Sequence, residues 1–265
     1  MRRAPAVAGR FYPADASEVR ARTEALLVSE VEPSPALALV GPHAGWMYSG
    51  ALAGAAWAQV AVPRRVLVLA PNHTGMGPVQ SVWGGDAWTM PTGPVAIDEE
   101  LRAALVEAGV RPDRAAHVRE HAIEVHVPFA VARRPDLQLT PVVLGPASVA
   151  DCLELGEAIA AVVRAADEPV LIVASTDMSH YVSADVAERL DHLALTPLLA
   201  RDPTALLQTV REHRISMCGV IPTAVALHAA NALGATEATL CGYTHSGRVS
   251  GDYDRVVGYA AAVVR

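Results

Sequence analysis

Three apolar runs in this chain each stop within a few residues of a histidine: ALALVGPH at His43, VLVLAPNH at His73, and VLIVASTDMSH, which carries Asp177 and His180. A fourth run, ATLCGYTH, ends the same way at His245. In an open α/β sheet, the carboxyl ends of the strands border the crevice where ligands sit. Imidazoles delivered there by separate strands converge in space although they lie far apart in sequence. Such a cluster suits metal binding or acid–base chemistry.

The local sequence around each residue adds to this reading. His43 and His73 share one pattern of aliphatic run, proline, histidine and glycine, and neighbouring parallel strands would set their rings side by side. Pro42 biases Gly41 toward extended geometry, and Asn72 has the side chain to pin the turn before His73. Asp177 and His180, three apart, would share a face if a helical turn began there. Such a carboxylate can orient an imidazole and raise its basicity; the alternative is that Asp177 only caps a following helix. The segment REHAIEVHVPF holds Glu120, His121, Glu124 and His126, without the His-Glu-x-x-His order of a zincin. Glu124 sits among apolar residues, where a carboxylate needs a partner, so it is a candidate acid–base group facing the site with His121. The same segment also reads as a polar helix start. Cys218 precedes a helix with Pro222 in its first turn, where a thiol can be a ligand or a nucleophile; buried structural cysteine is the alternative. Cys152 and Cys241 are expected in the core.

These side chains need a scaffold of short β-branched runs alternating with amphipathic stretches, the pattern of a layered α/β domain. Strands are predicted at Leu37–Val40, Val66–Ala70, Val79–Trp83, Leu139–Leu144, Val170–Ala174, Thr239–Tyr243 and Val256–Val264. Helices are predicted to begin near Asp15, Ser49, Asp98, Ser148, Ala184, Pro203 and Pro222. Asp15, Ser148 and Asp202 are the expected N-caps, with Pro203 at the first helical position. The Pro/Gly-rich stretches at 71–78 and 91–94 read as active-site loops. No linker or repeat divides the 265 residues, so a single domain over 1–265 is expected.

Bulk composition narrows the function classes. A hydrophobic content of 52% with 18% charged residues is that of a globular chain, not a disordered one. The net charge of −7 without a basic cluster argues against nucleic acid as partner. No apolar run approaches the roughly 20 residues of a membrane span. The opening MRRAPAVAGRFYPAD lacks the apolar stretch of a secretory signal, and three scattered cysteines suit a reducing cytoplasm. Phosphate-loop and Gly-x-Ser-x-Gly motifs are absent.

Taken in order, AGRFYP, GPHAGWMYSG, APNHTG, EHAIEVHVPF, STDMSHY, MCGVIP and SGDYDRVVGYAA resemble the MEMO family, protein B of the AMMECR–Memo–radical SAM grouping. The resemblance runs almost end to end. It implies a central mixed, largely parallel sheet flanked by helices, similar to class III extradiol dioxygenases, which open catechol rings with non-haem iron and O₂. It further implies His43, His73 and Cys218 as metal ligands, with Asp177 and His180 in the pocket and His180 as the acid–base histidine. Fe(II) is the expected metal. Two histidines and a thiolate depart from the 2-His-1-carboxylate set of oxygen-activating iron, so copper or zinc is the alternative.

The residues and the resemblance together point to a redox or dioxygenase-type protein acting on an aromatic or other small substrate. The alternatives are a cleft that binds a peptide or phosphopeptide without chemistry, and a zinc-dependent hydrolase. AMMECR-like and radical SAM proteins are the implied partners. His245 has no role assigned by the pattern.

Overall fold

The computed structural model describes residues 1–265. Its first half contains β1 (Arg2–Arg3), α1 (Ala16–Leu26), β2 (Ala38–Gly41), α2 (Trp46–Ala58), β3 (Arg65–Pro71), β4 (Gln80–Trp83), β5 (Ala87–Met90), β6 (Gly93–Ile97), α3 (Glu99–Glu107), β7 (Arg111–Asp113), α4 (Ala115–Val118) and α5 (Val127–Arg133). The second half adds β8 (Gln138–Leu144), α6 (Val149–Ala165), β9 (Val170–Ser175), β10 (His180–Val182), α7 (Ala184–Leu199), α8 (Pro203–Glu212), α9 (Val220–Ala232), β11 (Ala238–His245), α10 (Gly247–Ser250) and β12 (Val256–Val264).

All twelve strands join one mixed sheet, whose main path is β1-β5-β6-β8-β3-β9-β2-β12-β10. Its centre, β6-β8-β3-β9-β2, is wholly parallel, and β12 then runs antiparallel to β2 and β11. The central strands read as continuous aliphatic runs because both faces are covered. Alternate residues divide cleanly: Val40, Leu67, Leu69, Ile172 and Ala174 face α3, α6, α7, α8 and α9. Leu39, Val66, Val68, Leu171 and Val173 face α1, α2 and α5. This is the layered α/β architecture that the sequence pattern predicts. No helix is long and apolar enough to cross a membrane.

The predicted caps form. Asp15 and Asp202 accept backbone N–H groups, and Ser148 makes a reciprocal capping box with Asp151. Four expectations need correction. Helix α2 starts at Trp46 rather than near Ser49, because the Trp46 backbone and indole N–H groups donate to the Phe11 and Val125 carbonyls. Residues 91–94 do not make an active-site loop; they turn the antiparallel β5–β6 hairpin toward the sheet edge. No helical turn begins at Asp177, since residues 176–179 are irregular and lead into β10. The strands before His43 and His73 are not neighbours either, because β9 lies between β2 and β3.

Candidate metal centre

The inserted strand shapes the site. His43, Asp177 and His73 follow the carboxyl ends of β2, β9 and β3, three adjacent parallel strands. Asp177 accepts the backbone N–H of His43 at 2.8 Å, tying the exit of β9 to that of β2. On the other side, Asn72 pins the loop as expected, accepting from Thr74 and Gly75. His73 then donates its backbone N–H to Glu120 at 2.7 Å, and its Nδ1 lies 2.8 Å from the same carboxylate.

The third imidazole comes from the loop between α4 and α5. His121 stacks on His73 with ring centroids 4.6 Å apart and meets His43 edge-on at 5.3 Å, while His43 and His73 are 5.1 Å apart. One ligand atom from each of the three lies within 4.8 Å of the other two, which places all three within reach of one ion. The cluster opens outward from buried His43 through half-buried His121 to exposed His73. Phe11 closes one side with its ring against His121 at 4.9 Å.

The donor chemistry fits a cation. His73 Nδ1 faces a carboxylate oxygen, an obligate acceptor, so it carries the proton and leaves Nε2 as a lone pair. Burial works against the charge on Glu120, but hydrogen bonds from His73 and the Ala122 N–H outweigh it and hold the carboxyl below its ordinary range. Burial, then the charges of His121 and His73, push His43 well below the usual histidine value. Burial likewise pushes His121 down to about 4 against the opposing pull of Glu120. Neutral imidazoles packed this closely are what a metal requires.

Cys218 lies against the group without being one of its three members. Its Sγ is 3.2 Å from His43 Nε2 and also accepts the Asp177 N–H at 3.3 Å. Burial, followed by the charge of Asp177, pushes the thiol up, so ligation at sulfur would release a proton. Gly219 lets α9 come this close: a Cβ there would strike the Ser175 carbonyl and the Thr176 side chain.

Asp177 is buried, its Oδ2 3.9 Å from His43 Nε2. Desolvation raises its carboxyl to about 6, against the hydrogen bond from the His43 N–H. His180 holds Nδ1 at 2.8 Å from the Met178 carbonyl and 2.9 Å from that of Ser216. Both are obligate acceptors, which fixes the proton on Nδ1. Tyr181, beside it, is exposed and has a left-handed φ of 61°, a strained conformation for a bulky residue.

Glu124 is not brought to the cluster. Its carboxylate, fully buried, takes Arg3 Nη1 at 2.7 Å, the Ala6 and Val7 N–H groups at 2.7 and 3.0 Å, and the Tyr12 hydroxyl at 2.7 Å. Residues 122–126 form hydrogen-bonded turns that lead into α5, and Glu124 points back from them to clamp the N-terminal segment. Glu120 occupies the place beside the histidines, and the adjacent Glu-His pair was the signal for it. His245 is buried at the end of β11, its Nδ1 unpartnered and its ring edge-on to Tyr253 at 5.5 Å. It is not part of the three-histidine group.

Fold and site together define a layered α/β protein with a three-histidine centre at the carboxyl ends of its parallel strands. Residues 3–263 match the Memo-like protein family. A MEMO1 family protein of Methanopyrus kandleri is 39% identical, over 100% of this chain and 99% of its own length. Another from Aquifex aeolicus is 37% identical over 98% of both chains. An uncharacterized protein of Escherichia coli K12 has a related fold: TM-score 0.50, 16% identity, 84% of this chain and 98% of the other covered. The chain belongs to the Memo-like family.

Proposed function

We propose that this chain is a non-haem metalloprotein whose ion is held by His43, His73 and His121, with Cys218 at its flank, and that it acts in redox or dioxygenase-type chemistry on an aromatic or other small substrate. The single observation that carries the reading is the convergence of three imidazoles, one of them braced on the buried Glu120 carboxylate. A redox-active ion such as Fe(II) would supply electron exchange with O₂. The chain's own groups supply the rest. His180, its Nδ1 proton fixed on two carbonyls, presents Nε2 to accept a proton from a substrate hydroxyl. Asp177, buried against His43 and accepting its backbone N–H, is the carboxyl group placed beside the ligands to hold a proton. Exposed His73 marks the open side, and Phe11 screens His121 from water.

Metal analysis of the purified protein, followed by anaerobic Fe(II) loading and O₂-uptake assays on a panel of catechols, tests this reading. Bound iron with substrate-dependent uptake is expected; iron-loaded protein that consumes no O₂ with any catechol removes the redox assignment. A zinc-dependent hydrolase is the second reading, favoured because three imidazoles also form a catalytic zinc set. Zinc in the protein as isolated, with ester hydrolysis and no O₂ uptake, selects it.

A further inference from the structure

Ser175, the last residue of β9, is fully buried behind His43, and its hydroxyl is met by three groups. It donates to the Ala122 carbonyl at 2.6 Å. His43 Nδ1 lies 2.8 Å away and His126 Nε2 3.2 Å away. A hydroxyl has one proton to give and two lone pairs. The Ala122 carbonyl can only accept, so the proton goes there, and each imidazole must donate to the oxygen.

A second, independent contact fixes His126 in the same sense. The Trp57 indole N–H, which can only donate, points at His126 Nδ1 at 3.2 Å. Nδ1 is therefore the lone pair of His126 and Nε2 carries its proton, which satisfies the second lone pair of Ser175. The arrangement is tightly built: a Cβ on Gly41 would approach His126 Cε1 to 3.0 Å. Trp57 is wholly buried in α2. No member of the set has water to turn to, so the proton order is dictated by the two obligate partners at its ends.

We infer that Trp57, His126 and Ser175 are positioning residues that hold His43 in its Nδ1–H form, so that Nε2 faces the cluster as a lone pair before any ion arrives. The Cys218 thiol fits the same order, since its nearest acceptor is that Nε2 at 3.2 Å rather than the Asp177 carbonyl at 3.6 Å. Two histidines of opposite tautomer thus meet at one hydroxyl. His73 reaches the same state through Glu120, so a hydroxyl on one side and a carboxylate on the other orient the pair. The consequence for metal binding rests on the reading of His43 as a ligand; the tautomer pattern does not.

The test uses metal-free, ¹⁵N-histidine-labelled full-length protein, with imidazole nitrogens assigned by His43→Gln and His126→Gln. Protonated and lone-pair nitrogens resonate far apart, so each tautomer is read directly. Expected is His43 with its proton on Nδ1 and His126 with its proton on Nε2; His43 protonated on Nε2, or both rings in one form, overturns the inference. Zn²⁺ titration of Ser175→Ala then measures the effect of removing the shared oxygen. A loss of roughly 10–100-fold in affinity is expected, the usual cost of losing a group that orients a ligand, together with loss of the single His43 form. His126→Gln, which keeps an N–H for the hydroxyl, retains the His43 signature. A Ser175→Ala protein that melts earlier but keeps both the tautomer and the Zn²⁺ affinity makes the residue merely structural and overturns the inference. Wild-type protein with the opposite-tautomer pattern that takes up no Zn²⁺ supports the proton order and overturns the metal reading instead.

Discussion

Glu120 and Glu124 are four residues apart in one loop, equally buried, and do different work. Glu120 turns toward the strand ends, takes both N–H groups of His73 and lies 3.5 Å from His121 Nδ1. Glu124 turns the other way and is enclosed by Arg3, Tyr12 and two backbone N–H groups. Arg3 bridges the two, since it also donates to the Glu120 backbone carbonyl at 2.5 Å and the His117 carbonyl at 2.7 Å. A buried carboxylate therefore identifies a requirement for partners, and only the partners tell whether it orients a ligand or anchors a chain segment.

The largest effect is expected on the anchoring side. Glu124→Ala leaves the Arg3 guanidinium buried without its charge partner, a change that costs about 3–5 kcal/mol; urea unfolding measures it, and its metal affinity, where the protein folds, should stay near wild type. Glu120→Gln should show the reverse. Its melting temperature changes little, while Zn²⁺ or Fe(II) affinity falls by roughly 10–100-fold in calorimetric titration. Equal losses of metal affinity in both variants would erase the distinction between the two glutamates.

On the anchoring side, stability should also depend on pH through His117. Burial, then the charge of Arg3, lowers His117 to about 3, whereas in the unfolded chain it titrates near 6.5. The unfolded state therefore binds this proton first. The contribution is fully present above pH of about 6.5 and is lost as pH falls toward 3, by at most about 5 kcal/mol. Replacing His117 with Gln should flatten that part of the stability–pH curve relative to wild type, and an unchanged slope would assign the acid sensitivity to other groups. The smallest effect is expected at His245, which touches neither glutamate: His245→Asn should leave metal affinity unaltered in the same titration.

The strand ends were legible because buried parallel strands must be aliphatic and their exits must carry turn residues; His43, His73 and Asp177 follow directly. The caps at Asp15, Ser148 and Asp202 were legible because each lies next to the N–H groups it serves. Three things were not. The choice between Glu120 and Glu124 depends on which way the turns after His121 rotate, and residue types alone do not fix that. The place of β9 between β2 and β3 is a matter of long-range pairing that no local pattern encodes. His126 and Ser175 lie inside segments read for their neighbours, and their meeting exists only after three elements pack.

That middle place of β9 also bears on how the protein is made. As the chain emerges from the ribosome, β2 and β3 appear early and without a partner, since β2 pairs only with β9 and β12 and β3 only with β8 and β9. Until those segments are made, the nascent protein carries unpaired aliphatic strands that a chaperone would have to shield, and the strand exits bearing His43, His73 and Asp177 come together only once β9 has joined them.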